Sequence, residues 1–399
     1  MPLPSPKTGT THMPIVNRVA AMHEEITAWR RDLHAHPELG FDVHRTAGIV
    51  VDKLKAFGCV DIVSGVGKTG VVGVIKGRKT ASGKVVGLRA DMDALPIQEM
   101  TGVPYASETP GKMHACGHDG HTAMLLGAAK YLCETRNFDG TVVVVFQPNE
   151  EGLTGSLTMI EDGLIERFGI QQVYGMHTSP THELGKFALC AGPMLAACDK
   201  FTIEIAGKGS HAGRPHEGVD PVVVAAQTIM ALQTIASRNV NPLDAVVVST
   251  CIVRAGEAFN IIPQDTTLIG TVRTLSEKVR SQTHDRMRQI AEGTAALFGA
   301  TAEATFEGDV PVTVNDAEKT KFATGVAAEV VGEGNVKEMR PIMGAEDFSH
   351  MLRKRPGAFI MLGNGIGPGL HNPGYNFNDA AIPLGVSYWV RLAETAMPA

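Results

Sequence analysis

The run Met113-His114-Ala115-Cys116-Gly117-His118-Asp119-Gly120-His121 sets a thiol among three imidazoles. Cys116 and His118, two residues apart across a glycine, can turn a thiolate and an imidazole toward one borderline metal ion from a loop. The same run also reads as a helix N-terminus with a buried cysteine and surface histidines, and taken alone it does not choose between the two. A second run, Phe146-Gln147-Pro148-Asn149-Glu150-Glu151-Gly152, follows directly on an apolar strand. Carboxylates at the carboxyl end of a buried strand sit where open α/β sheets place their ligands. Adjacent glutamates point different ways, so one can bind metal while the other handles protons. A solvated acidic turn is the bland alternative. Of two further histidines, His177 in Tyr174-Gly175-Met176-His177 stands just beyond a short apolar strand, and His371 in Leu370-His371-Asn372-Pro373 follows the strand Ala358 to Leu362 and a glycine-rich loop. Either one alone is an ordinary structural or surface histidine; taken with the thiol and the glutamate pair, they are best explained as a metal site.

These groups need elements to carry them. Ile15, Val19, Met22, Ile26, Trp29 and Leu33 form one stripe of an amphipathic helix that ends near His36-Pro37, because proline disfavours helix in the residue before it. Strands are predicted at Thr69 to Ile75, Val85 to Ala90 and Thr141 to Gln147, with a helix over Asp119 to Cys133. Near-continuous apolar strands alternating with helices predict an α/β domain with a mostly buried mixed sheet, formed by residues 1–192 and 308–399. Between 193 and 307 the pattern changes. Strands at Phe201 to Ala206, Ala245 to Val253, Thr266 to Val272 and Thr301 to Phe306 surround helices at Pro221 to Ala236 and Val279 to Leu297. That β-α-β-β-α-β order predicts an inserted two-layer α+β, ferredoxin-like domain.

Composition narrows the choice. The chain has 399 residues, 36 basic against 42 acidic, and a net charge of −6, which argues against a nucleic-acid surface. No apolar run approaches the roughly 20 residues of a membrane span. The leader MPLPSPKTGTTHMP lacks the apolar stretch of a secretory signal, so reduced cysteines and a cytoplasmic location are expected. Gly65-Val66-Gly67-Lys68-Thr69-Gly70 imitates a dinucleotide fingerprint, but the residues after it read as a strand and not a helix, which makes it a glycine-rich turn. There is no H-E-x-x-H and no G-x-S-x-G.

With these motifs in this order, the chain resembles the two-metal amidohydrolases that include hippurate hydrolase, aminoacylases, plant indoleacetyl-amino-acid hydrolases and glutamate carboxypeptidases. The Cys116-Gly-His118 version looks like the hippurate and auxin-conjugate branch, and the likeness runs from Leu33 almost to the end. The resemblance implies that Cys116, His118, Glu151, His177 and His371 hold two divalent cations, manganese or zinc with cobalt or nickel as alternatives. It implies Glu150 as general base. His211, in Gly207-Lys-Gly-Ser-His-Ala212, would hydrogen-bond the tetrahedral oxyanion of a neighbouring subunit's site from a lid domain that also mediates dimerisation. Asn260 and Arg273 match segments that recognise the substrate carboxylate, and an arginine fork suits that partner. One of Asp91 and Asp93 would orient a ligand. Asn149 and Ala255-Gly256-Glu257 depart from the family pattern and bear on acyl preference. The expected substrate is an N-acyl or N-aroyl amino acid met by a homodimer. A dipeptidase, a deacylase of diaminopimelate-like metabolites, and a non-catalytic binder on the same fold are the alternatives.

Overall fold

The computed structural model describes residues 17–399, the side chain of residue 309 excepted. Ile15 and the leader lie outside the described residues. The chain divides into two compact units. One contains the residues up to Ala191 with Asn315–Met339 and Met351–Ala399; the other contains Gly192–Val314 and Arg340–His350.

In the first unit the amphipathic stripe forms α1 (Asn17–Ala21) and α2 (His23–Ala35), which stop before Pro37 as proline requires. After α3 (His44–Phe57) come β1 (Asp61–Val66), β2 (Gly70–Lys76) and β3 (Val85–Asp91). The Gly65–Gly70 run is the turn of the β1–β2 hairpin, with Gly67 at φ +63° and Lys68 at φ +78°. Next are α4 (His118–Thr135), β4 (Thr141–Gln147), β5 (Gln172–Ser179) and β6 (Phe187–Leu189), then β7 (Val336–Glu338) and β8 (Gly357–Gly363). They form an eight-stranded mixed sheet in the order β1-β2-β4-β3-β5-β8-β6-β7.

β3, β4, β5 and β8 are mutually parallel, so their carboxyl ends open at one edge. Val142–Val145 of β4 are buried throughout, as a strand covered on both faces must be. α4 is apolar almost all round and packs within the core. Gly120 lets it sit tightly: a Cβ there would lie 2.1 Å from Phe377 Cε2.

The second unit contains a four-stranded antiparallel sheet in the order Val246–Ala255, Asp265–Thr274, Ala197–Ala206, Thr301–Val310. Phe201, Ile203 and Ile205 face the helices Pro221–Leu232 and Glu277–Leu297, while Lys200 and Glu204 stay exposed on the other face. Asp220 and Ser276 cap these helices by accepting from Val222 N–H and Val279 N–H. Where the sequence pattern sets the insertion at 193–307, two contacts extend the unit. Its last strand pairs on to Val310 beyond a bulge, and Leu195 bridges Ile342. The first helix ends at Leu232, short of Ala236, and a π-helical turn follows at Ile235–Asn239. Among the described residues no helix is long and apolar enough to cross a membrane, and all six cysteines are free thiols.

Candidate active site

The carboxyl ends of β3, β4 and β5 deliver most of the candidate groups of the first unit to one place. Beyond β3, Asp93 is buried, and its two carboxylate oxygens accept the backbone N–H groups of Glu150 (3.0 Å) and Glu151 (3.1 Å). Asp93 therefore fixes the turn after β4 that presents the glutamate pair. Asn149 opens that turn at φ +54°, a left-handed conformation that asparagine tolerates well, and its amide donates to Thr154 Oγ1. This gives the departure at Asn149 a backbone reason.

α4 begins at His118 behind Gly117, whose φ of +88° suits glycine; a Cβ there would also lie 2.8 Å from Thr178 Oγ1. His118 Nδ1–H donates to the Asp93 carbonyl (2.8 Å), which leaves Nε2 buried and without a hydrogen-bond partner. On β5, His177 Nδ1–H donates to the Thr178 carbonyl (2.7 Å), and its Nε2 lies 3.3 Å from Cys116 Sγ. His371 is half-exposed at φ +60°; its N–H is tied to the Ala115 carbonyl at 2.8 Å, and its Nε2 lies 3.2 Å from Glu151 Oε1.

Two of the groups that could hold a metal ion share one sulfur. Cys116, His118 and His177 form one, and Cys116, Glu151 and His371 the other; within each, the possible ligand atoms lie within 4.8 Å of one another. Glu150 is buried with Oε2 3.8 Å from His118 Nε2. The donor chemistry fits divalent cations: two imidazole nitrogens are aimed inward by hydrogen bonds at their far sides, and a carboxylate and a thiol complete the sets.

The electrostatics agree. Burial pushes the Cys116 thiol well above its usual range, so the thiolate there needs a cation beside it. Burial works against a charged His118, yet Asp91 and Cys116 carry its pKa well above the ordinary value. Burial, with His121 nearby, pulls His177 well below its ordinary value and keeps its Nε2 lone pair available.

Asp91 serves a different partner, accepting from His121 Nδ1–H at 2.7 Å. His121 had a readable signal, three residues after His118 on one helix face, but Thr178, its other neighbour, had none. A further cluster adjoins α4, where His34 bonds Asp119 (2.8 Å) and Glu99 (3.3 Å), with Arg30 beside Asp119 at 3.4 Å. Its signal was the four-residue spacing of Arg30 and His34 on α2.

His211, Asn260 and Arg273 lie in the second unit. His211 is exposed on the short strand Ser210–His211, paired with Ile261, and the Asn260 carbonyl accepts Ala212 N–H at 3.0 Å. Arg273 donates to Thr271 Oγ1 at 3.1 Å on the sheet face away from the helices. It stands eight residues beyond Asp265 on the Asp265–Thr274 strand, about 26 Å from the end where His211 and Asn260 lie.

A mixed sheet that gathers two such ligand sets around a carboxylate defines a hydrolase built for metal ions. Residues 87–395 match peptidase family M20/M25/M40, and the chain belongs to that family, among the metal-dependent amidohydrolases. It is 43% identical over 382 residues to hippurate hydrolase of Campylobacter jejuni subsp. jejuni, covering 96% of this chain and 99% of that protein. It is 40% identical over 360 residues to thermostable carboxypeptidase 2 of Saccharolobus solfataricus, covering 88% and 90%. The solved structure of the Bacillus subtilis YXEP protein, described as a dinuclear metal-binding peptidase of family M20, superposes with a TM-score of 0.83 at 35% identity, covering 95% of this chain and 99% of that one.

Proposed function

We propose that the protein hydrolyses the amide bond of N-acyl or N-aroyl amino acids, releasing a carboxylic acid and an amino acid. The observation that carries this reading is a buried carboxylate, Glu150, beside two ligand sets, the second of which already has Glu151 as its carboxylate. Cys116, His118 and His177 would hold one divalent cation and Cys116, Glu151 and His371 the other. Manganese or zinc suits the mixed sulfur, nitrogen and oxygen donors, with cobalt or nickel as alternatives. Such a pair lowers the pKa of water toward about 7 and polarises a carbonyl.

Glu150 takes the proton from the attacking water and hands it to the departing amine nitrogen. Asp93, by gripping both N–H groups of the pair, keeps Glu150 turned to the substrate and Glu151 to its ligand set. His211 donates to the developing oxyanion from a lid of ferredoxin-like order, and Asn260 and Arg273 hold the substrate carboxylate. Because Arg273 stands about 26 Å from the Asn260 end of its sheet, one small substrate that meets both takes them from two copies of the chain. The reading is therefore of a homodimer with shared sites. The relatives named hippurate hydrolase and carboxypeptidase both support amides next to an amino-acid carboxylate.

The test is amino-acid release from hippurate, N-acetylmethionine, indoleacetyl-alanine and a dipeptide, each with metal, with chelator, and with Glu150→Ala. Release that needs metal and falls by roughly 10²–10⁴-fold in the variant is expected for a general base. A dipeptide turned over faster than every acyl amino acid would establish the peptidase alternative. No turnover of any substrate by the metal-loaded protein would overturn the hydrolase reading.

A further inference from the structure

His121 lies near enough to His118 and Asp91 to look like a ligand of a third ion, yet both its ring nitrogens are already engaged. A backbone N–H can only donate, so the 2.9 Å contact from Thr178 N–H makes His121 Nε2 an acceptor, and the Thr178 hydroxyl, also 2.9 Å from Nε2, is then on the donor side too. Its single proton is then on Nδ1 and donated to Asp91 Oδ1 at 2.7 Å. Asp91 is fixed in turn by Arg89 Nη1 (2.7 Å), and Arg89 by Gln147 Oε1 (2.8 Å). β3, β4, α4 and β5 are thereby keyed together through side chains.

The sheet gives this arrangement a task. Pairing of β3 with β5 stops at Arg89 and Gly175, while β5 continues to Ser179 along β8. On its β3 side the end of β5 has no ladder, and the buried Thr178 N–H requires an acceptor from elsewhere. His121 supplies it. The residue so fixed is the one whose carbonyl receives His177 Nδ1–H and aims Nε2 toward Cys116.

We propose that His121 is a positioning residue for His177: it holds Thr178 in place, and Thr178 sets the imidazole for the cation shared with Cys116 and His118. The inference rests on the reading of those three residues as a ligand set. His121 itself contacts neither ion nor substrate.

Two variants separate this role from packing. In His121→Asn the amide nitrogen still reaches Asp91, but nothing replaces Nε2 as acceptor. In His121→Gln the carbonyl oxygen reaches the Nε2 position and Thr178 keeps its partner. Apo-protein is titrated with Co²⁺ against a chelator, following the thiolate-to-cobalt absorption, and apo melting temperatures are recorded alongside. Co²⁺ affinity is expected to fall roughly 10–100-fold in His121→Asn and to stay within about threefold of wild type in His121→Gln, the size of effect usual for partners behind a metal ligand. An unchanged His121→Asn, or a His121→Gln that loses as much, overturns the proposal. Affinity losses that merely follow the melting temperatures of both variants also overturn it. If His121→Asn does not fold, His121→Gln decides alone: wild-type affinity supports the proposal and a tenfold loss overturns it. Failure of the underlying reading looks different, since wild type would then bind Co²⁺ without a thiolate band.

Discussion

In the proposed centre Cys116 serves both ligand sets, whereas His371 serves one and stands half in solvent. Their removal should therefore differ in kind. Cys116→Ala takes a donor from each set, and metal retained after dialysis, read by elemental analysis, should fall for both ions. His371→Ala should leave one tightly held ion per chain, because Cys116, His118 and His177 remain and both histidines keep the hydrogen bonds that aim them. Equal loss from the two variants would refute a sulfur shared between sets. Asp91 and Asp93 divide the supporting work: the first holds His121 and the second the Glu150–Glu151 turn.

At the scale of elements, α4 must sit close to its neighbours to bring His118 to the strand ends. Gly120→Ala would place a methyl 2.1 Å from the Phe377 ring, and overpacking of this kind costs about 1–3 kcal/mol. A lower melting temperature with weakened metal binding is expected; an unchanged melting temperature would show that α4 has slack. α4 is also bound to α2 through His34. Burial opposes its charge, but hydrogen bonds from both ring nitrogens to Asp119 and Glu99 outweigh that and raise its pKa to about 9. The unfolded imidazole loses its proton near pH 6.5. The stabilisation is thus complete below about 6.5 and lost as pH rises through about 9. Denaturant unfolding should show stability declining over that window, and His34→Gln should flatten the decline. An equally steep decline in the variant would place its source elsewhere.

For the whole molecule, the proposed sharing of sites between two copies predicts complementation. Glu150→Ala and His211→Ala are each expected to be nearly inactive. Refolded together in equal amounts, half the dimers are mixed, and each mixed dimer has one site with an intact Glu150 and an intact His211 from its partner. Activity should return to roughly a quarter of wild type. No recovery, with mixed dimers demonstrated, would mean that each chain supplies its own His211.

The sequence by itself determined what depends on near neighbours. Cys116-Gly-His118, the glutamate pair after an apolar strand, and the strand and helix runs were legible because side-chain periodicity and motif spacing are local properties. The strand ends were read less well: Phe201–Ala206 is only the second part of a strand that starts at Ala197, since pairing continues where the alternation fades. Tertiary structure alone decided which distant groups meet. Asp93 grips the N–H groups of Glu150 and Glu151, and Thr178 meets His121, because the sheet order places β3 between β4 and β5. Arg273 and Asn260, read together as substrate contacts, are set a strand's length apart in the same way. Strand order is fixed by which buried faces and unpaired backbone groups satisfy one another across the chain, and no local pattern of residues encodes that.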